Sequence, residues 1–277
     1  MTQRHEVRGT TRVLALLGHP VRHSRSPALH NAWLAAHDLD AVYVALDAPP
    51  TTDAAAVVRA GLWGANLTVP LKRTVVHPVC RVDRLEADAE ATGAVNTLWW
   101  DGDVLVGGNT DVEGWADSAT AATELSGRRA VILGAGGAAA AVAWALARHG
   151  AASVAFANRT PATHLVDRLS RLAPDVRWRQ GPLHPDTWSG ADLVVHALPA
   201  AAREAVEALD HDHLASEGTW FDLNYFDPSP PGMATAAARG WVTVDGHGML
   251  EAQAARAFLR WTGIDPRGGR APTSPGR

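Results

Sequence analysis

Apolar runs and amphipathic stretches alternate along this chain at the spacing of strand followed by helix. VLALLG (13–18) is a continuous apolar run closed by glycine. PALHNAWLAAH (27–37) sets Leu29, Trp33 and Leu34 at helical spacing behind a proline, and AVYVALDA (41–48) is again strand-like. TTDAAAVVRAG (51–61) reads as a helix leading into the strand-like GANLTVP (64–70). Such alternation predicts crossover helices between parallel strands, hence an α/β sheet covered on both faces. VNTLWWDGDVLVGG (95–108) predicts a hairpin, with Asp101-Gly102 supplying the positive φ angles of a type I′ turn and Trp99 and Trp100 packing on the sheet.

A second α/β series begins near residue 129. RAVIL (129–133) is an apolar strand, GAGGAAAAVAWALARHG (134–150) a glycine turn entering an alanine-rich helix, and SVAFA (153–157) the next strand. ADLVVHALP (191–199), TWFDLNY (219–225) and WVTVDG (241–246) continue it, and GWADSATAATELSG (114–127) predicts the helix joining the two series. GMLEAQAARAFLRWTG (248–263) predicts a closing helix with Leu250, Ala254, Ala257 and Phe258 on one side, and the Pro/Gly/Arg-rich tail 266–277 is expected to be disordered.

Composition narrows the class. A chain of 277 residues with 47% hydrophobic and 19% charged residues is globular and long enough for two ordinary cores. A net charge of −4 gives no electrostatic reason for a nucleic-acid partner. No apolar run approaches the roughly 18 residues of a membrane span, and the polar start MTQRHEVRGTTR lacks a signal-peptide core, so a cytoplasmic protein without a membrane partner is expected. Cys80 is the only cysteine, and none of the 13 histidines falls in a His-x-x-x-His or His-Glu-x-x-His spacing on a plausible helix, so no metal is expected.

The chemistry starts at Gly134-Ala135-Gly136-Gly137-Ala138-Ala139, a G-x-G-x-x-A pattern between strand and helix. Gly134 permits the tight turn, Gly136 lets backbone approach a pyrophosphate, and Ala139 lets the helix pack close to the strand; the pyrophosphate then faces unpaired N–H groups at the positive helix end. Glycines for packing alone are the competing reading. The next strand ends in Asn158-Arg159-Thr160, where an NAD site carries an acid for the ribose hydroxyls. An acid repels a 2′-phosphate and Arg159 pairs with one, which favours NADP and argues against an S-adenosylmethionine enzyme. Near the start, Ser24 and Ser26 bracket Arg25 ahead of Pro27. On extended backbone both hydroxyls point the same way, toward an anion at a helix start; Ser26 as a plain N-cap and a Ser-Pro phosphorylation site are the other readings.

Six ordered motifs together resemble the shikimate dehydrogenase family. They are Ser24-Arg25-Ser26-Pro27, Gly64-Ala65-Asn66-Leu67-Thr68-Val69-Pro70-Leu71-Lys72, Gly93-Ala94-Val95-Asn96-Thr97, Gly108-Asn109-Thr110-Asp111, the glycine turn with Asn158-Arg159-Thr160, and Gly246-His247-Gly248-Met249-Leu250 with Gln253. The resemblance implies a two-domain α/β protein. A mainly parallel substrate-binding and catalytic domain (1–112 and 247–277) would receive the returning C-terminal helix, with a Rossmann NADP-binding domain (113–246) between its parts and substrate in the cleft. It implies NADP-dependent interconversion of 3-dehydroshikimate and shikimate in chorismate and aromatic amino acid biosynthesis, by a monomer or homodimer.

Under that resemblance Ser24 and Ser26 hold the substrate carboxylate, Lys72 is the acid–base catalyst and Asp111 pairs with it and binds a substrate hydroxyl. Asn66, Thr68, Asn96, Tyr225 and Gln253 bind the remaining polar groups; taken singly, Asn66 and Asn96 read equally well as turn residues. Gly134, Ala135, Gly136, Gly137, Ala138, Asn158, Arg159, Thr160, Leu223 and Gly246 line the cofactor. The alternatives are a quinate or aminoshikimate dehydrogenase of secondary metabolism and a catalytically silent nucleotide-binding regulator, the latter disfavoured by Lys72 and Asp111. The chain departs from the family at two places. His196-Ala197-Leu198-Pro199-Ala200-Ala201 stands where the family usually has Asn-Ala-Thr and a Gly-containing turn, and Thr163 where a second Arg is usual.

Overall fold

In a computed structural model, which describes residues 7–76, 82–227 and 229–270, the chain folds as two compact units. One comprises the residues up to Thr110 together with Gln253 onward, the other Asp111–Ala252. Cys80 lies outside the described residues. No helix among the described residues is long and apolar enough to cross a membrane.

The first unit holds β1 (Arg12–Gly18), α1 (Ser26–Ala36), β2 (Ala41–Asp47), α2 (Ala54–Arg59), β3 (Gly64–Leu67), a 3₁₀ turn at Leu71–Val76, β4 (Arg84–Leu85), α3 (Ala87–Thr92), β5 (Thr97–Asp101) and β6 (Val104–Gly108). Its sheet has the order β2-β1-β3-β5-β6-β4 and is mixed: β1 runs parallel to β2 and β3, β5 antiparallel to β3 and β6, and β4 parallel to β6. Strand alternation sends Ala15 and Leu17 to one face with Ala54, Ala55 and Val58 of α2, and Leu14 and Leu16 to the other with Leu34 of α1. Both faces are buried, which is why 13–18 reads as an unbroken apolar run.

The second unit follows with α4 (Thr110–Thr120), whose first residue closes the first unit, β7 (Arg129–Leu133), α5 (Gly137–Arg148), β8 (Ser153–Ala157), α6 (Thr163–Leu172), β9 (Arg177–Gly181), α7 (Pro185–Trp188), β10 (Leu193–His196), α8 (Arg203–Glu207), β11 (Thr219–Asp222), α9 (Met233–Ala238) and β12 (Val242–Val244). All neighbours in the order β12-β11-β10-β7-β8-β9 are parallel. This is a Rossmann-type, doubly wound sheet, with its switch point between β7 and β10, where a crevice opens at the strands' C-terminal ends. Ala139, Ala140, Ala141, Ala143 and Ala145 of α5 are buried, so small side chains bring that helix close to the sheet.

The last helix, α10 (His247–Thr262), belongs from Gln253 on to the first unit. Ala257, Phe258 and Trp261 complete the cluster around Leu14 and Tyr43, and the Trp261 indole N–H donates to the Leu98 carbonyl at 2.9 Å. Arg260 pairs with Glu86 at 3.0 Å and lies over the Trp99 ring at 5.3 Å. A lone Arg–Glu pair adds little at a surface, but here the apolar seat fixes the helix and the pair sets its rotation.

Three expectations are corrected. The hairpin's last pair is Asp101 with Val104, so its loop is Gly102-Asp103, shifted by one residue. Only Gly102 there has positive φ, at 59°, the pattern of a type II′ turn in which glycine takes the first central position, not type I′. The helix expected over 51–61 is confined to Ala54–Arg59, because Asp53 accepts the Ala56 N–H at 3.0 Å and caps it. Within the expected disordered tail, Gly269–Arg270 (β14) pairs antiparallel with Ile264–Asp265 (β13), turning at Asp265, which accepts the Arg267 N–H; residues 271–277 lie outside the described residues.

One core residue carries a pH signature. His30, on the inner face of α1, is fully buried, stacks on Tyr43 with centroids 4.3 Å apart, and has no hydrogen-bond partner at either ring nitrogen. Burial pushes its pKa down from 6.5 to about 3. Between those values the unfolded chain binds a proton that the folded chain refuses. This contribution is therefore intact above the unfolded pKa and stability is lost as pH falls through the window. Urea unfolding at pH 7 and 5 should show this loss, and His30→Phe, which keeps a flat ring against Tyr43, should reduce the slope by about 1.4 kcal/mol per pH unit. An unchanged slope in the variant would mean that His30 is protonated inside the fold.

Candidate active site

In the first unit, the ends of β3 and β6 and the start of β5 converge on two buried amides. Asn66 accepts the Tyr43 hydroxyl at Oδ1 (2.8 Å) and donates through Nδ2 to the Asn96 carbonyl (3.2 Å) and Thr97 Oγ1 (3.1 Å). Because a carbonyl only accepts, Nδ2 must face Asn96, which settles the amide's orientation. Asn96 Oδ1 in turn accepts the Thr110 N–H at 2.8 Å and the Thr97 hydroxyl at 2.9 Å. Asn109 donates to Thr92 Oγ1 at 3.0 Å, so the whole Gly108-Asn109-Thr110 segment is tied down. Both donors of Asn66 are used inside the protein; toward a ligand this amide presents an acceptor.

The segment after Asn66 is held by its main chain. Thr68 N–H donates to the Leu17 carbonyl (2.9 Å), Leu67 N–H to Asn96 (2.8 Å), and Val95 N–H to the Lys72 carbonyl (2.8 Å). Lys72 is the second residue of the 3₁₀ turn, after the fully buried Leu71, and is itself half-buried. Asn66, Thr68, Lys72 and Asn96 are thus brought together, and Asp111, 4% exposed, follows Thr110 in the first turn of α4. Gln253 lies half-buried on α10. Tyr225 belongs to the second unit, its ring 4.0 Å from Phe226 and 6.2 Å from His247. Tyr43 is the partner of Asn66 that sequence reasoning missed, since a tyrosine within an apolar strand carries no marker of its hydrogen bond.

The serine pair has a different local structure from the one expected. Helix α1 begins at Ser26 itself, and its N-cap is Arg25 in helical conformation (φ −85°, ψ −11°), whose own side chain makes no capping bond. The extended-backbone argument and the Ser26 cap therefore both fail. Instead Ser24 Oγ accepts the Ser26 N–H at 3.2 Å, leaving the Ser24 proton to donate elsewhere. Ser24 is half-buried and Ser26 is 8% exposed.

In the second unit the glycine turn separates two demands. Gly134 has φ 113°, and a Cβ there would stand 3.1 Å from the Ala197 carbonyl, so the fold itself requires glycine. Gly136 has ordinary extended backbone (φ −79°, ψ −171°) and nothing within 4 Å of a Cβ, so no part of the protein demands it. An open cradle at the N-terminus of a twelve-residue helix, with Ala135, Gly137 and Ala138 half-buried around it, suits a pyrophosphate. At the end of β8, Asn158, Arg159 and Thr160 line a cleft of about 260 Å³ with Gln180 across it. Asn158 Nδ2 donates to the Thr160 carbonyl (2.8 Å), and Gln180 donates to Thr163 Oγ1 (3.1 Å), at the position where the family resemblance implies a second Arg. Arg159 is exposed. Leu223 and Gly246 meet directly, since a Cβ on Gly246 would be 2.5 Å from the Leu223 carbonyl. These residues fit a phosphorylated dinucleotide.

Fold and site define an α/β protein of the dinucleotide-binding class with an attached polar site for a small ligand. Residues 16–98 match the family model described as shikimate dehydrogenase substrate binding domain. Shikimate dehydrogenase (NADP(+)) of Moorella thermoacetica is 41% identical over 270 residues, covering 93% of this chain and 90% of that protein. Its counterpart in Mesorhizobium japonicum is 38% identical over 265 residues, covering 93% and 92%. The crystal structure of shikimate 5-dehydrogenase from Thermus thermophilus in complex with NADP(H) and shikimate superposes with a TM-score of 0.79 at 34% identity, covering 92% of this chain and 96% of that one. The chain belongs to the shikimate dehydrogenase family.

The contrast between the two glycines can be tested. Gly136→Ala should leave the thermal midpoint within about 2 °C, because the backbone is permitted and the space is open, yet weaken dinucleotide binding by about tenfold or more. Calorimetric melting and fluorescence titration with NADPH measure the two effects; loss of stability with unaltered binding would mean that Gly136 serves the fold.

Proposed function

We propose that this protein catalyses the NADP-dependent, reversible reduction of 3-dehydroshikimate to shikimate. The observation that carries the reading is the buried Asn66–Asn96–Thr110 network stitched to the Lys72 segment, in a chain whose relatives are named for this activity. NADPH, when bound, supplies the hydride. Lys72 gives a proton to the carbonyl oxygen as it becomes a hydroxyl, and takes it back in the reverse direction. Asn66 accepts from a substrate hydroxyl, because its own amide hydrogens are engaged. Asn96, Thr68, Gln253, Tyr225 and Asp111 are assigned to the other polar groups of the ring. The Ser24 and Ser26 hydroxyls, beside the N-terminus of the eleven-residue α1, take the carboxylate with help from the helix dipole.

On the cofactor, the N-terminus of α5 takes the pyrophosphate and Arg159 takes the 2′-phosphate, which NAD lacks. Thr163, engaged by Gln180, adds no second cation. A steady-state panel of shikimate, quinate and aminoshikimate against NADP and NAD tests the reading as a whole. Shikimate with NADP should give the highest kcat/KM, and quinate or aminoshikimate in first place would move the protein to the alternative.

Two variants test the assigned roles. Lys72→Ala should lower kcat about 10²- to 10⁴-fold with much smaller changes in KM, since a general acid–base group acts mainly in the transition state. Near-normal turnover, with hydride transfer confirmed as the slow step by an isotope effect, would remove Lys72 from that role.

Arg159→Ala should weaken NADP binding by about tenfold or more while NAD binding changes little, one charge-assisted contact being lost. Equal losses for both cofactors would show that Arg159 stacks on the adenine without reading the phosphate.

A further inference from the structure

At the C-terminal edge of the second sheet, Leu133 of β7, His196 of β10 and Asp222 of β11 fall side by side in register. His196 Nδ1 lies 2.6 Å from Asp222 Oδ2, with side-chain exposures of 1% and 0%. A carboxylate only accepts, so Nδ1 carries the proton and donates it. The second carboxylate oxygen, Oδ1, accepts both the N–H (2.8 Å) and the side-chain amide (3.0 Å) of Asn224. Asn224 also reaches the Leu198 carbonyl at 3.4 Å, and Leu223 N–H donates to the His196 carbonyl at 3.0 Å. His196 Nε2 has no hydrogen-bond partner.

Alternation along the strands puts His196 with Val194, and Asp222 with Trp220, on the apolar face that also buries Leu133 and Val206. Taking a carboxylate and an imidazole into such a place costs desolvation that an apolar pair would avoid, so stability alone does not account for the pair. What it does is geometric: it joins the loop leaving β10 to the loop leaving β11. Ala197 also lies against Gly134 of the glycine turn. With the pyrophosphate at α5 and the 2′-phosphate at the end of β8, the rest of a dinucleotide in this fold must pass over the ends of β10 and β11. Those ends are the ones the pair fixes.

We propose that His196 and Asp222 are a positioning pair for the nicotinamide half of the cofactor. The pair holds the 197–199 and 223–225 loops in place where the family usually has Asn-Ala-Thr and a Gly-containing turn. This rests on the cofactor placement proposed above.

The test compares NADP with adenosine 2′,5′-bisphosphate, which has the phosphorylated adenosine and no nicotinamide. In His196→Leu, which removes the donor, calorimetric titration should show bisphosphate affinity unchanged within about twofold and NADP affinity reduced by about tenfold, with kcat lowered as well. His196→Asn should restore NADP affinity, because its Nδ2 stands where Nδ1 does and can donate to Asp222. Should His196→Leu not fold, Asp222→Ala, which removes the acceptor, gives the same comparison. NADP affinity equal to the parent's, or a parallel loss for both ligands, would overturn the proposal. A parent protein that binds neither ligand would instead overturn the cofactor placement beneath it.

Discussion

Two buried amides govern the first unit. Asn66 and Asn96 sit 6% and 3% exposed among apolar strands, and an unsatisfied buried polar group costs about 1–3 kcal/mol. Their partners come from widely separated parts of the chain: Tyr43 from β2, Thr97 from β5 and Thr110 from the start of α4. Satisfying the amides therefore requires that strands and helix start be placed together, and beside Asn96 the Val95 N–H holds the backbone from which Lys72 projects. Stability and site geometry here are one requirement. The network also limits chemistry, since an amide whose hydrogens are engaged can recognise a ligand hydroxyl only as an acceptor.

The second unit answers to a different constraint. A fully parallel sheet must be covered on both faces, and α5 meets that need with alanines that let it approach closely. Close approach sets the N-terminal amides of α5 directly beyond the end of β7. Gly134 then allows the turn that connects them, and Ala197 stands against that turn. The end of β10 is consequently coupled to the glycine turn by packing and to the end of β11 by the His196–Asp222 bond.

Most of the strand and helix order was legible in the residues because it follows from periodicity. Apolar runs such as 13–18 and 129–133 are buried on both faces, and their neighbours alternate with helical spacing. What escaped was decided by local polar contacts or by edge position. β9, RWRQG, is an edge strand with charged, exposed side chains and has no apolar run to announce it. Helix α6 did offer a signal, Leu165 and Leu169 four residues apart, both buried. The hairpin turn missed by one residue, because Asp-Gly predicts a turn without saying which residue ends the strand. Ser24 missed for a related reason: whether a hydroxyl caps a helix or folds a turn onto its neighbour depends on the φ and ψ of Arg25, which the spacing does not carry. His30 and Tyr43 show the limit of composition, since neither residue type says whether its polar atom will be bonded, as Tyr43 is, or left bare, as His30 is.

That limit also gives a way to separate residues kept for the fold from residues kept for a ligand. Gly134 is demanded by its φ of 113° and Gly246 by the Leu223 carbonyl that a Cβ would strike, so the fold alone explains them. Gly136 has room for a side chain and an ordinary backbone, so its smallness answers to something the protein does not contain. Polar groups divide in the same way. The Asn66 amide hydrogens are engaged inside the protein, whereas the Ser24 hydroxyl accepts from the backbone and keeps its proton to give. His196 falls between the two kinds. One nitrogen is bound to Asp222 in the core and the other has no partner, so the residue is neither fully accounted for by the fold nor directly marked as a ligand contact. A group in that position acts on a ligand by what it holds still, and what His196 holds still is the backbone on either side of the crevice where the parallel strands end.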